Sequence, residues 1–340
     1  MTKRVILIGF SLLALTGVAA AALSLTGAGA TFPYPMYSKW FNEYHKLHSD
    51  IEINYQSIGS GGGIKQVTEG TVDFGASDGP MNDQQLAEFK DKRKCDVLHF
   101  PTVMGADVPT YNVPGVQTDL NFTPEALAGI FLGKITKWND PELQKANPKV
   151  KLPNNDLVVV HRSDGSGTTF IWVDYLAKIS PEWKQKVGVG TSVSWPVGLG
   201  GKGNEGVSGQ IKQTEYSVGY VELVYAIQNK LPYGQVKNAA GSFVKADLAS
   251  VTAAAGAAAN MPEDFRVSIT NAPGKASYPI SSFTWLLVPS KIQDPAKKKA
   301  IVDFVQWMLG PGQQFAAGLT YAELPKTVVA KELKAVAKIQ

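Results

Sequence analysis

Strand-like and helix-like segments alternate through this 340-residue chain, and several of the turns between them are rich in glycine. "IEINYQSI" alternates Ile51, Ile53 and Tyr55 as a half-buried strand does, then runs into "GSGGGIKQV", a turn that opens a helix. "TVDFGAS" alternates again through Val72, Phe74 and Ala76 and ends at Asp78. "DLVVVHRS" is a nearly continuous apolar run, the pattern of a strand covered on both faces, and it feeds the helix "TTFIWVDYLAKI". "PMYSKWFNEYHKL" places Tyr37, Trp40, Phe41, Tyr44 and Leu47 on one helical stripe, with Pro33 and Pro35 at its start. Later, "SVGYVELVYAIQN" reads as strand and helix, "ASVTAAAGAAA" as an alanine-rich helix and "FTWLLVPS" as a strand. "AKKKAIVDFVQWMLG" sets Ile301, Phe304, Val305 and Met308 on one face, with Gly310 just past the end. This alternation predicts an α/β fold, with helices packed on a mostly parallel sheet. The length predicts about two domains. No flexible linker joins them, so strands should cross between the two.

The first residues read differently. "MTKRVILIGFSLLALTGVAAAALS" has Lys3 and Arg4, an apolar core and an A-x-A end at Ala20 and Ala22. This is the pattern of a secretory leader over residues 1–22, and no cysteine follows it to carry a lipid. The mature chain is therefore expected in an exported compartment. A formal net charge of +4 is small for this length and gives no argument for nucleic acid as a partner. With Cys95 as the only cysteine there is no intramolecular disulfide, and with four histidines a structural zinc site is not expected. His45 and His48 are read as members of a polar helix face. No cofactor is predicted.

"HRSDGSGTTF", residues 161–170, concentrates hydrogen-bond donors at a helix start. It admits three readings: the setting of a serine nucleophile, a cradle for an anion, or an ordinary helix cap. A nucleophile elbow needs glycines two residues away on both sides of Ser166, where Asp164 and Thr168 stand, and His161 is the only nearby base. "GAGATF" lacks the third glycine of a dinucleotide fingerprint, and in "GLGGKGN" Gly203 follows Lys202 where a P-loop needs Ser or Thr. Both read as turns that let backbone approach something closely.

The anion cradle draws on three helix starts. Thr31 and Phe32 precede the first helix, Ser60 to Gly63 open the second, and Ser166 to Thr168 open the third. Each offers a hydroxyl and backbone N–H groups at the positive end of a helix dipole. Taken singly, each also fits a simple cap. Arg162 adds a planar fork suited to two oxygens of a phosphate-like group. Asp78 would repel an anion unless the ligand carries a proton, because an ionised carboxylate only accepts hydrogen bonds. Hydrogen phosphate has that proton and sulfate lacks it, and an unpaired buried acceptor costs about 1–3 kcal/mol. Asp164, two residues from Arg162, is expected to pair with the guanidinium and hold its fork.

"LTGAGATFPYPMYSKW", "YQSIGSGGGIKQ", "VDFGASD", "HRSDGSGTTF" and "WPVGLGGKGNEGVSG" together resemble the periplasmic phosphate-binding proteins of bacterial high-affinity phosphate ABC transporters. The resemblance runs in order over nearly the whole mature chain. It implies a two-domain, Venus-flytrap α/β fold with an interdomain cleft and two hinge crossovers. The implied domains are 23–104 with 279–340, and 105–278. It places Thr31, Phe32, Ser60 and Asp78 on the phosphate-binding positions of one domain. Arg162, Asp164, Ser166, Gly167 and Thr168 fall on those of the other. It further implies a monomer that is not an enzyme, with inorganic phosphate and an inner-membrane ABC permease as partners. The chain departs from that pattern at Gly61, in the basic stretch "EFKDKRKCDVLHF", and in "GADVPTYNVPG", which replaces a more apolar segment near the first crossing. The rivals are another oxyanion receptor, a secreted phosphatase using Ser166, and an adhesion protein using "KDKRK" and the lysines at 297–299.

Overall fold

The computed structural model describes residues 22–116, 118–256 and 260–340. The expected leader lies outside them up to residue 21. Its strands are β1 (Leu23–Gly29), β2 (Ile51–Ser57), β3 (Phe74–Ser77), β4 (Val97–Asn112), β5 (Asn121–Phe122), β6 (Val158–Arg162), β7 (Leu199–Gly201), β8 (Ser217–Glu222), β9 (Gln235–Lys237), β10 (Phe243–Val244) and β11 (Ser281–Pro289). Eight of them form one sheet in the order β2-β1-β3-β11-β4-β8-β6-β7, and β10-β9-β5 form a small second sheet.

The large sheet has two halves hinged on β4. Residues 97–106 of this strand pair antiparallel with β11, and residues 107–112 pair antiparallel with β8. Within each half the pairs β1–β2, β1–β3, β6–β7 and β6–β8 are parallel, joined by crossovers that contain helices. Four of the seven neighbouring pairs are parallel and three, all involving β11 or β4, are antiparallel, so the sheet is mixed. The reason is topological: a chain that leaves the first half along β4 and returns beside it along β11 must run in the opposite direction. Both crossings meet at Asp107, whose N–H donates to Ile280 O at 2.9 Å and whose carbonyl accepts from Tyr278 Oη at 2.9 Å.

One continuous buried core runs through both halves, and each half contributes its own aromatic group. In the first, Tyr37, Trp40, Phe41 and Tyr44 of helix Tyr34–Leu47 pack with Tyr55, Phe74 and Phe304. Leu47, expected on this stripe, is 65% exposed. The helix ends there, and the His48 ring lies tilted against Tyr44, with ring centroids 4.4 Å apart. In the second half Trp172 stacks on Tyr220 at 4.9 Å, flanked by Phe131 and Trp195. Helix Pro295–Leu309 buries Ile301, Phe304, Val305 and Met308, as its spacing predicts. The alanine-rich helix spans Leu248–Ala255, and residues 257–259 of that segment lie outside the described residues. No helix among the described residues is long and apolar enough to cross a membrane.

Candidate functional site

The ends of the parallel strands position the polar groups singled out above. Thr31 and Phe32 follow β1, Ser60 begins a helix after β2, Asp78 follows β3, and Arg162 is the last residue of β6. Ligands of open α/β sheets gather at these carboxyl ends, because each strand delivers a helix start there. Here the two halves of the sheet turn their strand ends toward one another.

The hydrogen bonds link the predicted residues directly. Arg162 donates from Nε to Asp164 Oδ1 at 2.7 Å and from Nη2 to Oδ2 at 2.5 Å, a two-point pair. Its Nη1 donates to Thr168 Oγ1 at 3.2 Å. Asp164 Oδ1 also accepts from Gly203 N at 3.1 Å. Asp164 therefore holds the guanidinium plane, as its spacing from Arg162 implied. Burial pushes the Asp164 carboxyl up, but the Arg162 pair outweighs it and keeps the acid below its usual range. For Arg162, burial pulls the guanidinium down, and the bond and charge of Asp164 more than offset this.

Asp78 is 1% exposed. Its Oδ1 accepts from Thr284 Oγ1 at 2.7 Å and its Oδ2 faces Ser60 Oγ at 3.5 Å. Burial pushes this carboxyl up to about 7, against the pull of the Thr284 hydrogen bond, the Arg162 charge and the Ser60 hydroxyl. A carboxyl poised there exchanges acceptor for donor character near neutral pH.

The two halves meet across a seam of glycine. Gly61 N donates to Gly165 O at 2.9 Å, and a Cβ on Gly61 would lie 3.1 Å from Gly165 Cα. A Cβ on Gly167 would overlap Ser60 Oγ and Asp78 Oδ2. Gly59 has φ +88°, a left-handed conformation that favours glycine, and a side chain there would strike Asp164. Only glycine lets these helix starts approach so closely. The first N–H groups of helix Gly167–Ile179, on Gly167 and Thr168, have no carbonyl in their own helix to bond.

Ser166 caps that helix, its Oγ accepting from Thr169 N at 3.0 Å. His161 does not serve it as a base: it stacks on Trp195 at 4.7 Å and sets Nδ1 against Arg162 O. Phe32 lies beside Thr31 with its ring against Gly105 and its carbonyl accepting from Tyr321 Oη at 2.6 Å. Among the described residues no group of three or more His, Cys, Asp or Glu side chains is placed to hold a metal ion. His45 instead bonds Ile51 O at 2.7 Å.

Three neighbours of the site escaped the sequence reading. Thr284 holds Asp78 from β11, and the only trace of it is a threonine inside an apolar strand. Asn204, fully buried, bridges Thr31 and Thr168 from the start of helix Gly203–Gln213. Its trace is "GLGGKGN", read as a close-approach turn. Tyr225 donates from Oη to Thr31 O at 2.6 Å and left no trace.

A two-lobed α/β fold with helix starts from both lobes converging on one cleft defines a solute-binding protein, and a model of the PBP superfamily domain matches residues 15–311. The Phosphate-binding protein PstS of Pasteurella multocida is 45% identical over 335 residues, covering 97% of this chain and 94% of that protein. That of Haemophilus influenzae is 46% identical over 312 residues, 91% of each chain. The chain belongs to the PstS phosphate-binding protein family. A crystal structure of a high-affinity periplasmic phosphate-binding protein bound with phosphate has the same fold, with a TM-score of 0.74 at 21% identity over 91% of this chain and 93% of that one.

Proposed function

We propose that this chain captures inorganic phosphate between its two lobes and hands it, chemically unchanged, to an inner-membrane ABC permease. The observation that carries this reading is the placement of Asp78. A buried carboxylate faces Ser60, Gly167 and the charge of Arg162, so the site combines many donors with one acceptor. Such a site fits a tetrahedral anion that keeps one proton. The names of the family members in P. multocida and H. influenzae support the same ligand.

Thr31, Phe32, Ser60 and Asp78 from the first lobe, with Arg162, Ser166, Gly167 and Thr168 from the second, are the groups assigned to the ion. Asp164 acts through Arg162. The lobes are assigned as residues 23–104 with 279–340, and 105–278. The change of partner along β4 after Ala106 supports this division. Closure of the lobes removes water from the ion and strengthens each hydrogen bond to it. The leader at 1–22 directs the chain to the periplasm with cleavage near Ala22, and the mature protein works as a monomer without nucleic acid. Most lysines of the basic stretches are paired with acids. Lys90 pairs with Asp96, Lys92 with Glu69 and Glu88, Lys94 with Asp91, and Lys297 with Asp73.

Native mass spectrometry of the purified protein, followed by calorimetric titration with phosphate and with sulfate, tests this reading. Co-purified phosphate and a phosphate-only heat signal are expected. Sulfate binding equal to phosphate would refute it.

A further inference from the structure

Asn204 sits where three polar groups of the cleft converge. Its Nδ2 donates to Thr31 Oγ1 at 2.8 Å and to Thr168 Oγ1 at 3.0 Å, one hydroxyl from each lobe. Its Oδ1 accepts from Glu222 N at 2.9 Å. A backbone N–H can only donate, so the atom facing Glu222 must be the amide oxygen. The orientation of the amide is therefore fixed.

A threonine hydroxyl has two lone pairs and one proton. Thr168 Oγ1 accepts from Asn204 Nδ2 and from Arg162 Nη1 at 3.2 Å, which engages both lone pairs. Thr31 Oγ1 accepts from Asn204 Nδ2 and, weakly at 3.4 Å, from Asn204 N. Each hydroxyl is left with one unused hydrogen-bonding capacity, its own proton. Neither can turn to accept from a ligand.

We infer that Asn204 is a specificity-determining residue that commits Thr31 and Thr168 to donate toward the bound oxyanion. It touches both hydroxyls and acts on the ion through them. The inference rests on the phosphate reading above and adds its polarity: every hydroxyl bridged by Asn204 donates, and Asp78 alone accepts. A ligand that presents protons at the Thr31 and Thr168 positions, such as a fully protonated acid or an alcohol, is excluded there.

Asn204→Asp keeps the acceptor facing Glu222 and replaces the shared donor with a second acceptor. Both threonine protons then turn to the introduced carboxylate. With two donors withdrawn at roughly tenfold or more each, the phosphate Kd should rise by about a hundredfold at pH 8. The loss should shrink as pH falls and the carboxyl regains a proton to donate. Like-charge repulsion alone would share that pH trend, so a double-mutant cycle with Thr31→Val decides. In the wild-type background Thr31→Val should weaken binding about tenfold. In Asn204→Asp it should have almost no further effect. Asn204→Ala, which leaves the hydroxyl free to rotate, should also reduce the effect of Thr31→Val, and a thermal melt confirms that each variant is folded. Fold-losses that simply multiply in both cycles would overturn the inference, as would wild-type affinity in Asn204→Asp. Wild-type protein that fails to bind phosphate would overturn the preceding reading as well, so the two failures are told apart by the wild-type titration.

Discussion

Replacing Asp78 by Asn tests how the cleft tells phosphate from sulfate. Thr284 Oγ1 donates to Oδ1 at 2.7 Å, and an asparagine keeps that bond by leaving its oxygen there. The amide nitrogen then takes the place of Oδ2, beside Ser60 Oγ and Gly167. A ligand O–H that met a carboxylate would now meet a donor. Loss of a hydrogen bond to a charged acceptor amounts to about 1.5–3 kcal/mol. The phosphate Kd should therefore rise by roughly 10- to 150-fold. For sulfate the same change removes a like charge and an unpaired buried acceptor, a gain of about 1–3 kcal/mol. Isothermal titration with each anion reads both effects, at a pH above about 7 where the wild-type carboxyl is ionised. The reasoning fails if the variant binds phosphate as before and still gives no heat with sulfate.

Other consequences follow from the same geometry. Because burial raises Asp78 to about 7, the carboxyl gains a proton, and so a donor, as pH falls through that value. Sulfate should compete with phosphate in the wild type at about pH 5.5 and not at about pH 8.5, as a competition titration will show. Gly61→Ala should raise the phosphate Kd on the order of tenfold, since the new methyl meets Gly165 Cα at 3.1 Å. Gly167→Ala should do far more damage, because its methyl overlaps Ser60 and Asp78. Small-angle scattering should show that this variant no longer becomes more compact with phosphate. Asp107→Val should stabilise the protein, because Asp107 is fully buried and neither of its carboxyl oxygens has a hydrogen-bond partner among the described residues. Burial, then the charges of Asp78 and Glu222, holds this acid well above its usual range. The folded protein thus keeps a proton that the unfolded chain releases, and wild-type stability falls as pH rises above the ordinary aspartate value near ~4. The advantage of the variant, about 1–3 kcal/mol, should therefore widen from acid to neutral pH in thermal melts.

Much of the site is legible in the sequence because local chemistry carries it. A strand that ends in a glycine-rich helix start announces a donor cluster wherever it lies, and the spacing of Arg162 and Asp164 already implies their pair. What stays hidden depends on residues far apart in the chain. Strand β11 runs antiparallel between β3 and β4, and nothing in "FTWLLVPS" gives its direction or says that Thr284 will reach Asp78, 206 residues away. Asn204 lies 173 residues from Thr31, and its amide acquires meaning only when the lobes meet. Leu47 fits the helical spacing of Tyr37 and Tyr44, yet the helix stops before a partner can cover it. Asp107 shows the converse. As a residue it is a visible departure from an apolar pattern, but only the crossing of β4 reveals that it is sealed between the lobes.

Crystals grown with phosphate bear most directly on the whole account. A single tetrahedral ion should lie between the lobes, with one oxygen about 2.5–2.8 Å from an Asp78 carboxylate oxygen and others within about 3.2 Å of Arg162 and the Gly167 and Thr168 amides. An ion held on the outer surface of either lobe, or in the cleft without contact to Asp78, would contradict it.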